Sequence, residues 1–161
     1  MEVLIREYRA DDLAAMISIW NEIVEEGIAF PQDHPLDLDG AARFFQSQSF
    51  TGVAEFGGQI AGLYILHPNN VGRCAHLANA SFAVSSLLRG KKVGESLVLH
   101  SLCKGKELGF RVLQFNAVVK TNTAAIHLYE KLGFTRLGTI PGGFRMKNGS
   151  FEDIIPFYIE L

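Results

Sequence analysis

The sequence predicts one α/β domain with a mixed, mostly antiparallel central sheet, helices on both faces and one parallel pair of strands. Its 161 residues, 48% of them hydrophobic, suffice for one core and leave no room for a second domain. Apolar runs flank the dipeptide Gly57–Gly58, a hairpin signature that makes the early strands antiparallel. Later in the chain a strand, a helix and a second strand follow one another, as in a parallel crossover. One such crossover favours a mixed sheet over a full Rossmann domain.

The first half of the chain is predicted to hold three strands and two helices. Asp11 is expected to cap a helix that runs to about Glu26, because apolar residues recur there at helical spacing and Gly27 follows. Two prolines break regular structure in the next residues, and Asp37 is then expected to cap a second helix. The predicted elements are a strand at Val3–Tyr8, helices at Asp11–Glu26 and Leu38–Gln46, and strands at Thr51–Phe56 and Gln59–Leu66.

The second half is predicted to alternate strands with helices and then to end in a hairpin. Gly133 follows the last helical pattern, and Asn148–Gly149 is a turn signal between two further strands. The predicted elements are strands at Leu77–Val84, Val112–Val119, Phe134–Ile140 and Phe151–Leu161, and helices at Gly94–Leu108 and Thr123–Leu132.

Charge is distributed unevenly, although the formal net charge is only −2. Residues 1–72 hold 3 Lys/Arg against 11 Asp/Glu, whereas residues 73–161 hold 12 against 6. A cationic second half favours a small polyanionic ligand, and it is too sparse for a nucleic-acid surface. No apolar run is long enough to span a membrane, and the N-terminus lacks a signal-peptide profile. Since Cys74 and Cys103 are the only cysteines, the sequence predicts free thiols and a cytoplasmic location.

A basic turn, Arg89–Gly94, lies between a predicted strand and a predicted helix. The first amides of a helix have no intrahelical partner and lie at the positive end of its dipole. A flexible turn with three cations at that place suits a phosphate group. The turn alone leaves a solvated surface loop as an equal alternative, and it matches neither of the glycine-rich nucleotide motifs G-x-x-x-x-G-K-[ST] and G-x-G-x-x-G.

A second motif decides between these alternatives. The segment Asn122–Phe134 reads N-x-x-A-x-x-L-Y-x-x-x-G-F, and Arg89 and Gly94 match the pattern [Q/R]-x-x-G-x-[G/A] in the basic turn. Together these segments resemble the GNAT superfamily of acyl-CoA N-acyltransferases, and the resemblance covers nearly the whole chain. Lys92 departs from the pattern, because the family has a glycine there that lets the backbone approach a pyrophosphate closely.

The resemblance implies a GNAT-like sheet with a site for acetyl-CoA at its parallel strand pair. The pantetheine arm is expected to pair with the backbone near Phe82 and Val84, and the pyrophosphate to lie on the basic turn. Asn122 is expected to steady the cofactor, and Tyr129 to protonate the departing CoA thiolate; the alternative is that Tyr129 only packs. The implied cofactor-binding residues are Phe82, Val84, Arg89, Gly90, Lys91, Lys92, Val93, Gly94, Asn122, Ala125 and Tyr129, and the implied catalytic residues are Tyr129 and Asn122.

A narrower resemblance concerns the acceptor. The segments HPNNVGRCAHLANASFAV, FNAVV, GTIPGGF and NGSFED resemble the branch that includes the yeast-type N-acetyltransferase of proline analogues such as azetidine-2-carboxylate. In that branch asparagines on the fourth and fifth strands hold the amino-acid substrate, and motif context gives these places to Asn79 and Asn116. The alternative is that each amide only bonds a neighbouring backbone group.

A general base is not evident in the sequence. Many relatives use a glutamate on the fourth strand, and the strand Leu77–Val84 has none, so His76 and release of the proton to water are the candidates. Cys103 is expected in the core, with a role as acyl-accepting nucleophile as a minor alternative. The histidines and cysteines form no metal-ligand pattern, so no metal is expected.

The predicted function is transfer of an acetyl group from acetyl-CoA to a small amine, in particular an amino or imino acid, by direct attack in a ternary complex. A protein or peptide N-acetyltransferase and a non-catalytic acyl-CoA sensor are the alternatives. The expected partners are the small acceptor and neither nucleic acid nor membrane; the sequence leaves a homodimer open.

Overall fold

The structure is a computed structural model that describes residues 2–161, in which one sheet of eight strands carries four α-helices. The strands are β1 (Leu4–Glu7), β2 (Phe50–Phe56), β3 (Gln59–Pro68), β4 (Leu77–Val84), β5 (Val112–Val119), β6 (Thr135–Arg136), β7 (Ile140–Arg145) and β8 (Phe151–Glu160). The helices are α1 (Leu13–Glu26), α2 (Leu38–Gln46), α3 (Val93–Glu107) and α4 (Thr123–Lys131). The strand order is β1-β2-β3-β4-β5-β8-β6, and β7 also pairs with β8.

The helices cover both faces of the sheet, because successive residues of a strand point to opposite faces. Val53 of β2 and Leu63 of β3 pack with residues of α1 and α2, whereas their neighbours Ala54 and Tyr64 pack with residues of α3. All strand pairs are antiparallel except β4 with β5. The predicted mixed α/β fold with one parallel pair is therefore confirmed.

An aromatic cluster anchors the loop between α1 and α2. Trp20 of α1 is fully buried, and its ring centroid lies 4.4 Å from that of Phe30 and 5.3 Å from that of Phe44. Asn21 donates to the carbonyl of Leu36 at 2.9 Å and accepts from the amide of Leu36 at 2.8 Å. Burial of a phenylalanine side chain such as that of Phe30 stabilises a fold by about 1.5–3 kcal/mol, so this contact holds the loop in place.

The start of α1 differs from the prediction. Residues Ala10–Asp12 form a short 3-10 turn, and Asp11 does not cap the helix. Asp12 takes the polar role instead: its carboxylate accepts from the amide of Arg9 at 2.7 Å and from the guanidinium of Arg6 at 2.8 Å. The Arg6 hydrogen bonds hold the pKa of the Asp12 carboxyl below its usual value. The other predicted cap is confirmed, since the carboxylate of Asp37 accepts from the amide of Gly40 at 2.6 Å.

The last part of the sheet also differs. The predicted strand Phe134–Ile140 is confirmed only in part: Thr135 and Arg136 form β6 and pair with β8, and the strand is interrupted near Gly138, where φ is 145°. Pairing with β8 resumes at Ile140, the first residue of β7, and the rest of β7 was expected to lie in the connection. The predicted turn at Asn148–Gly149 is confirmed and joins β7 to β8.

A further finding concerns membranes. Among residues 2–161 no helix has both the length and the apolar character needed to cross a bilayer.

Candidate active site

The parallel strands β4 and β5 pair at one end only. Leu77 pairs with Val112 and Ala78 with Leu113, and beyond these residues the two strands separate. On its other side β4 stays paired with β3 up to Val84. The carboxyl-terminal part of β4 therefore has an open edge toward β5.

The backbone groups on this open edge belong to the even-numbered residues of β4. The amide of Ser85, next in the chain, donates to the carbonyl of Ala61 on β3 at 2.9 Å. Because backbone groups alternate in direction along a strand, the odd-numbered residues of β4 bond to β3, and Phe82 and Val84 direct their N–H and C=O groups to the open side. An extended ligand placed there would meet the backbone of the two residues that the resemblance named for the pantetheine arm.

The separation of the strands forms a cleft of about 170 Å³. The loop after α1 contributes part of its wall through Ala29, Phe30 and Pro31. Six of the residues singled out from the sequence line this cleft together, namely Asn79, Phe82, Asn116, Asn122, Ala125 and Tyr129.

Tyr129 of α4 lines the cleft and is packed among aromatic rings. Its ring centroid lies 4.4 Å from that of Phe115, 5.4 Å from that of Phe134 and 5.8 Å from that of Phe157. Burial raises the pKa of the Tyr129 hydroxyl above its ordinary value, so the group stays protonated near neutral pH. Packing and proton donation are therefore compatible: the ring is held by its neighbours and the hydroxyl keeps its proton.

Asn122 lies at the N-terminus of α4. Its side-chain oxygen accepts from the amide of Ala125 at 3.3 Å and so caps the helix. The cap uses one lone pair of this oxygen, so the amino group and the second lone pair of Asn122 remain to bond a ligand.

The two asparagines named for the acceptor have different surroundings. Asn79 of β4 donates from Nδ2 to the carbonyl of Gln114 at 2.8 Å, just where β4 and β5 separate. Asn116 lies in an irregular stretch of β5, where the register against β8 shifts between Phe115 and Val118. A bulge of this kind redirects a side chain, and it brings Asn116 to the cleft.

Sequence reasoning missed Asn69, which lies in the loop after β3. Its Nδ2 donates to Oδ1 of Asn116 at 3.0 Å, and its Oδ1 accepts from Nδ2 of Asn116 at 2.7 Å. The signal was present in the Asn69–Asn70 dipeptide of the quoted loop, but the sequence does not indicate which of the two meets β5.

The basic turn follows β4 and leads into α3. Gly90 and Lys92 have φ of 78° and 62°, and Lys92 is the one non-glycine residue in the described part of the chain with a left-handed φ. No side chain caps α3, whose first amides are therefore available to an anion. Lys92 thus adopts the conformation that a glycine favours at this position. Val93 is buried, so its backbone rather than its side chain faces the turn.

Arg89 is engaged with α1. Its guanidinium lies 2.5 Å from the carboxylate of Glu26, and Glu22, one turn earlier, accepts from the amide of Ser86 at 3.3 Å. Both groups of the Arg89–Glu26 pair are partly exposed, which leaves the guanidinium accessible to a competing anion.

Some predicted residues lie away from the cleft. Val84 and the whole basic turn are not part of the cleft wall. Val84 is the last residue of β4, and the turn follows it in the chain. His76 precedes β4 at the end where the strands are paired, so it is not placed to act as base in the cleft. Cys103 is exposed rather than buried, because its side of α3 faces outward, and it does not line the cleft. Within residues 2–161 no three His, Cys, Asp or Glu side chains gather as a metal site would require.

Comparisons with known proteins agree with this geometry. The family model described as "Acetyltransferase (GNAT) family" matches residues 13–134. The N-acetyltransferase aca1 of Schizosaccharomyces pombe is 37% identical over 100 residues, which are 62% of this chain and 47% of aca1. This chain thus spans less than half the length of that relative. The L-amino acid N-acyltransferase MnaT of Escherichia coli is 25% identical over 142 residues, 85% of this chain and 82% of MnaT.

A solved structure extends the similarity to the whole described fold. A GCN5-related N-acetyltransferase from Kribbella flavida is 32% identical, with a TM-score of 0.91 over 99% of this chain and 98% of the other. The similarity to aca1 also supports the resemblance to the yeast-type branch. The chain belongs to the acetyltransferase (GNAT) family, as its two sequence motifs predicted.

Proposed function

We propose that this chain is an N-acetyltransferase that moves the acetyl group of acetyl-CoA to the amine of a small amino or imino acid. The observation that carries the proposal is that three asparagines and Tyr129 line one cleft beside the open edge of β4. Asn79 and Asn116 lie on strands of the sheet, and Asn122 and Tyr129 belong to α4 and its N-terminal cap. Tyr129 packs against the same hydrophobic core as β4 and β5, which supports the view that a single N-acetyltransferase domain suffices.

The proposed donor is acetyl-CoA, and the chain offers groups for both of its ends. The backbone of Phe82 and Val84 would pair with the amides of the pantetheine arm as an added strand does. The amides at the start of α3, with Arg89, Lys91 and Lys92, would hold the pyrophosphate. Gly90 adopts a left-handed φ of 78° in this turn, and Gly94 would present its amide to the pyrophosphate without a side chain. Asn122 and Ala125 would contact the arm near the thioester.

The proposed reaction is direct attack in a ternary complex. The amine nitrogen bonds to the thioester carbonyl carbon, a strand amide holds the oxyanion, and the C–S bond breaks as the intermediate collapses. The amine proton leaves to water, because His76 is away from the cleft and β4 has no carboxylate. Tyr129 supplies a proton to the CoA thiolate. Even with ordinary pKa values of about 10 and about 8.5 this last transfer is uphill by roughly 2 kcal/mol, so the help is modest.

An amino acid is proposed as acceptor because Asn79 and Asn116 offer neutral hydrogen-bonding groups on the two sides of the cleft. Such groups hold a zwitterion without fixing a charge, and a site of paired polar groups rejects molecules that lack the partners. The description of MnaT as an L-amino acid N-acyltransferase supports this choice.

A peptide acceptor is the second candidate, and one observation favours it. A further cleft of about 500 Å³ lies on the other side of Phe30 and Pro31, between the loop after α1 and the β7–β8 hairpin. A peptide whose terminal amine entered the first cleft would have room for its following residues there.

A thiol-release assay with acetyl-CoA distinguishes these functions. Turnover with free amino or imino acids supports the proposal, and turnover restricted to peptides supports the second candidate. Binding of acetyl-CoA without turnover of any amine would instead identify a non-catalytic sensor. Asn79→Ala and Asn116→Ala should each lower kcat/KM for the amino acid by about five- to a hundredfold without adding, because they share one ligand. Asn148→Ala, in the distant β7–β8 turn, is the control.

A further inference from the structure

Asn69 contacts the acceptor cleft only through another residue. It is not part of the cleft wall, yet it forms a reciprocal pair of hydrogen bonds with Asn116, at 3.0 and 2.7 Å. Its own backbone amide donates to the carbonyl of Leu77 at 2.7 Å, which fixes the loop to the start of β4. Asn69 therefore has a defined position from which to orient the amide of Asn116.

The hydrogen bonds of Asn116 leave it one kind of free group. Its oxygen accepts from Nδ2 of Asn69 at 3.0 Å and from Nε2 of Gln114 at 3.1 Å, so both lone pairs are used. Its amino group donates to Asn69 and keeps one N–H. Toward a ligand, Asn116 is therefore a donor only.

Asn79 is the opposite case. Its amino group donates to the carbonyl of Gln114, and its oxygen has no hydrogen-bond partner among residues 2–161. An amide oxygen accepts two hydrogen bonds, so the oxygen of Asn79 is free to receive N–H groups. The cleft thus has an acceptor on the β4 side and a donor on the β5 side.

We propose that Asn69 is a positioning residue: by occupying the oxygen of Asn116 it makes the cleft select molecules that present an amine to Asn79 and a carboxylate oxygen to Asn116. The inference rests on the proposed amino-acid acceptor and extends it, because it assigns each end of that acceptor to one asparagine. A simple amine without the carboxylate would lack a partner for the Asn116 donor and should be a poor substrate.

The test compares each amino acid with its own primary amide, which keeps the carbonyl oxygen and loses the charge. Asn69→Ala removes the constraint on Asn116 and should raise KM for the amino acid about fivefold, the factor of one typical hydrogen bond, while kcat and the KM for acetyl-CoA change little. Asn69→Asp places a negative charge beside Asn116 and should lower the acid-to-amide ratio of kcat/KM by about tenfold.

Asn70→Ala is the matched control. Asn70 is the neighbouring asparagine in the same loop and is exposed, and among residues 2–161 its side chain bonds only to the amide of Val71. Its replacement should leave the acid-to-amide ratio unchanged. Melting temperatures show whether each variant is folded.

The outcomes separate the two proposals. If the wild type acetylates amino acids and Asn69→Asp lowers turnover of acid and amide equally, Asn69 is merely structural and the inference is wrong. An unchanged ratio in both Asn69 variants has the same meaning. If the wild type acetylates no amino acid at all, the proposed function fails, and the inference fails with it.

Discussion

Lys92 provides a direct test of how the basic turn is built. Its φ of 62° and ψ of 13° are left-handed, a conformation that costs a residue with a Cβ about 1–2 kcal/mol. Its side chain is exposed and makes no hydrogen bond or ion pair within residues 2–161, so Lys92→Gly removes the strain without removing either kind of interaction. Glycine also increases the conformational entropy of the unfolded chain, which lowers the free energy of unfolding by about 0.5–1 kcal/mol. The net expectation is a gain of about 0.5–1 kcal/mol, or about 1–4 °C in Tm.

Lys91→Gly is the matched control. Lys91 is the adjacent exposed lysine, and its φ is not left-handed. Here glycine adds freedom only to the unfolded chain, so the variant should lose about 0.5–1 kcal/mol. Thermal and urea unfolding without acetyl-CoA measure both changes, since a bound ligand would shift the stability of each variant differently. Equal destabilisation by the two glycines would refute the strain argument for Lys92.

Three further predictions concern the site and its support. Tyr129→Phe should lower kcat by about a hundredfold or less with acetyl-CoA binding nearly intact, because the transfer is uphill; an unchanged kcat in steady-state assays would leave only packing. Glu26→Gln should free Arg89 and tighten acetyl-CoA binding about two- to fivefold in calorimetry at low salt, whereas Arg89→Ala should weaken it; unchanged affinity in both would remove the turn from the site. Asp12→Asn should destabilise the fold at pH 7, because Arg6 lowers the folded pKa of Asp12, and the deficit should shrink as pH falls below about 4; a constant deficit in urea titrations contradicts this.

The parts of the fold that depend on local pattern were predictable. The helix α2, the hairpin at Gly57–Gly58 and the strand β4 follow from caps, turn residues and alternation, and they lie where expected. Asp11 and Asp12 show the limit, since the choice between them depends on Arg6, which reaches Asp12 from a different element. The first residue of a helix can be predicted from the neighbouring sequence only when the capping side chain has no partner elsewhere in the fold.

The candidate site was predictable in its members and not in its bonding. Motif context named Asn79 and Asn116, and both line one cleft with Tyr129. That Asn116 lies in a bulge, and that Asn69 holds its oxygen, depends on the register of β5 against β8 and on contacts 47 positions apart in the chain. No pattern within a few residues carries that information.

The short pairing of β4 with β5 has a mechanical consequence. The β1–β4 and β5–β8 portions of the sheet are linked directly by two residue pairs of β4 and β5, and by a backbone hydrogen bond from Arg111 to His76 just before them. We therefore expect the sheet to open most easily along this seam. An extended ligand bound along the free part of β4 would contact both portions of the sheet and hold them together. Part of its binding free energy would then appear as resistance to opening of the whole sheet, and the cofactor would serve the fold as well as the reaction.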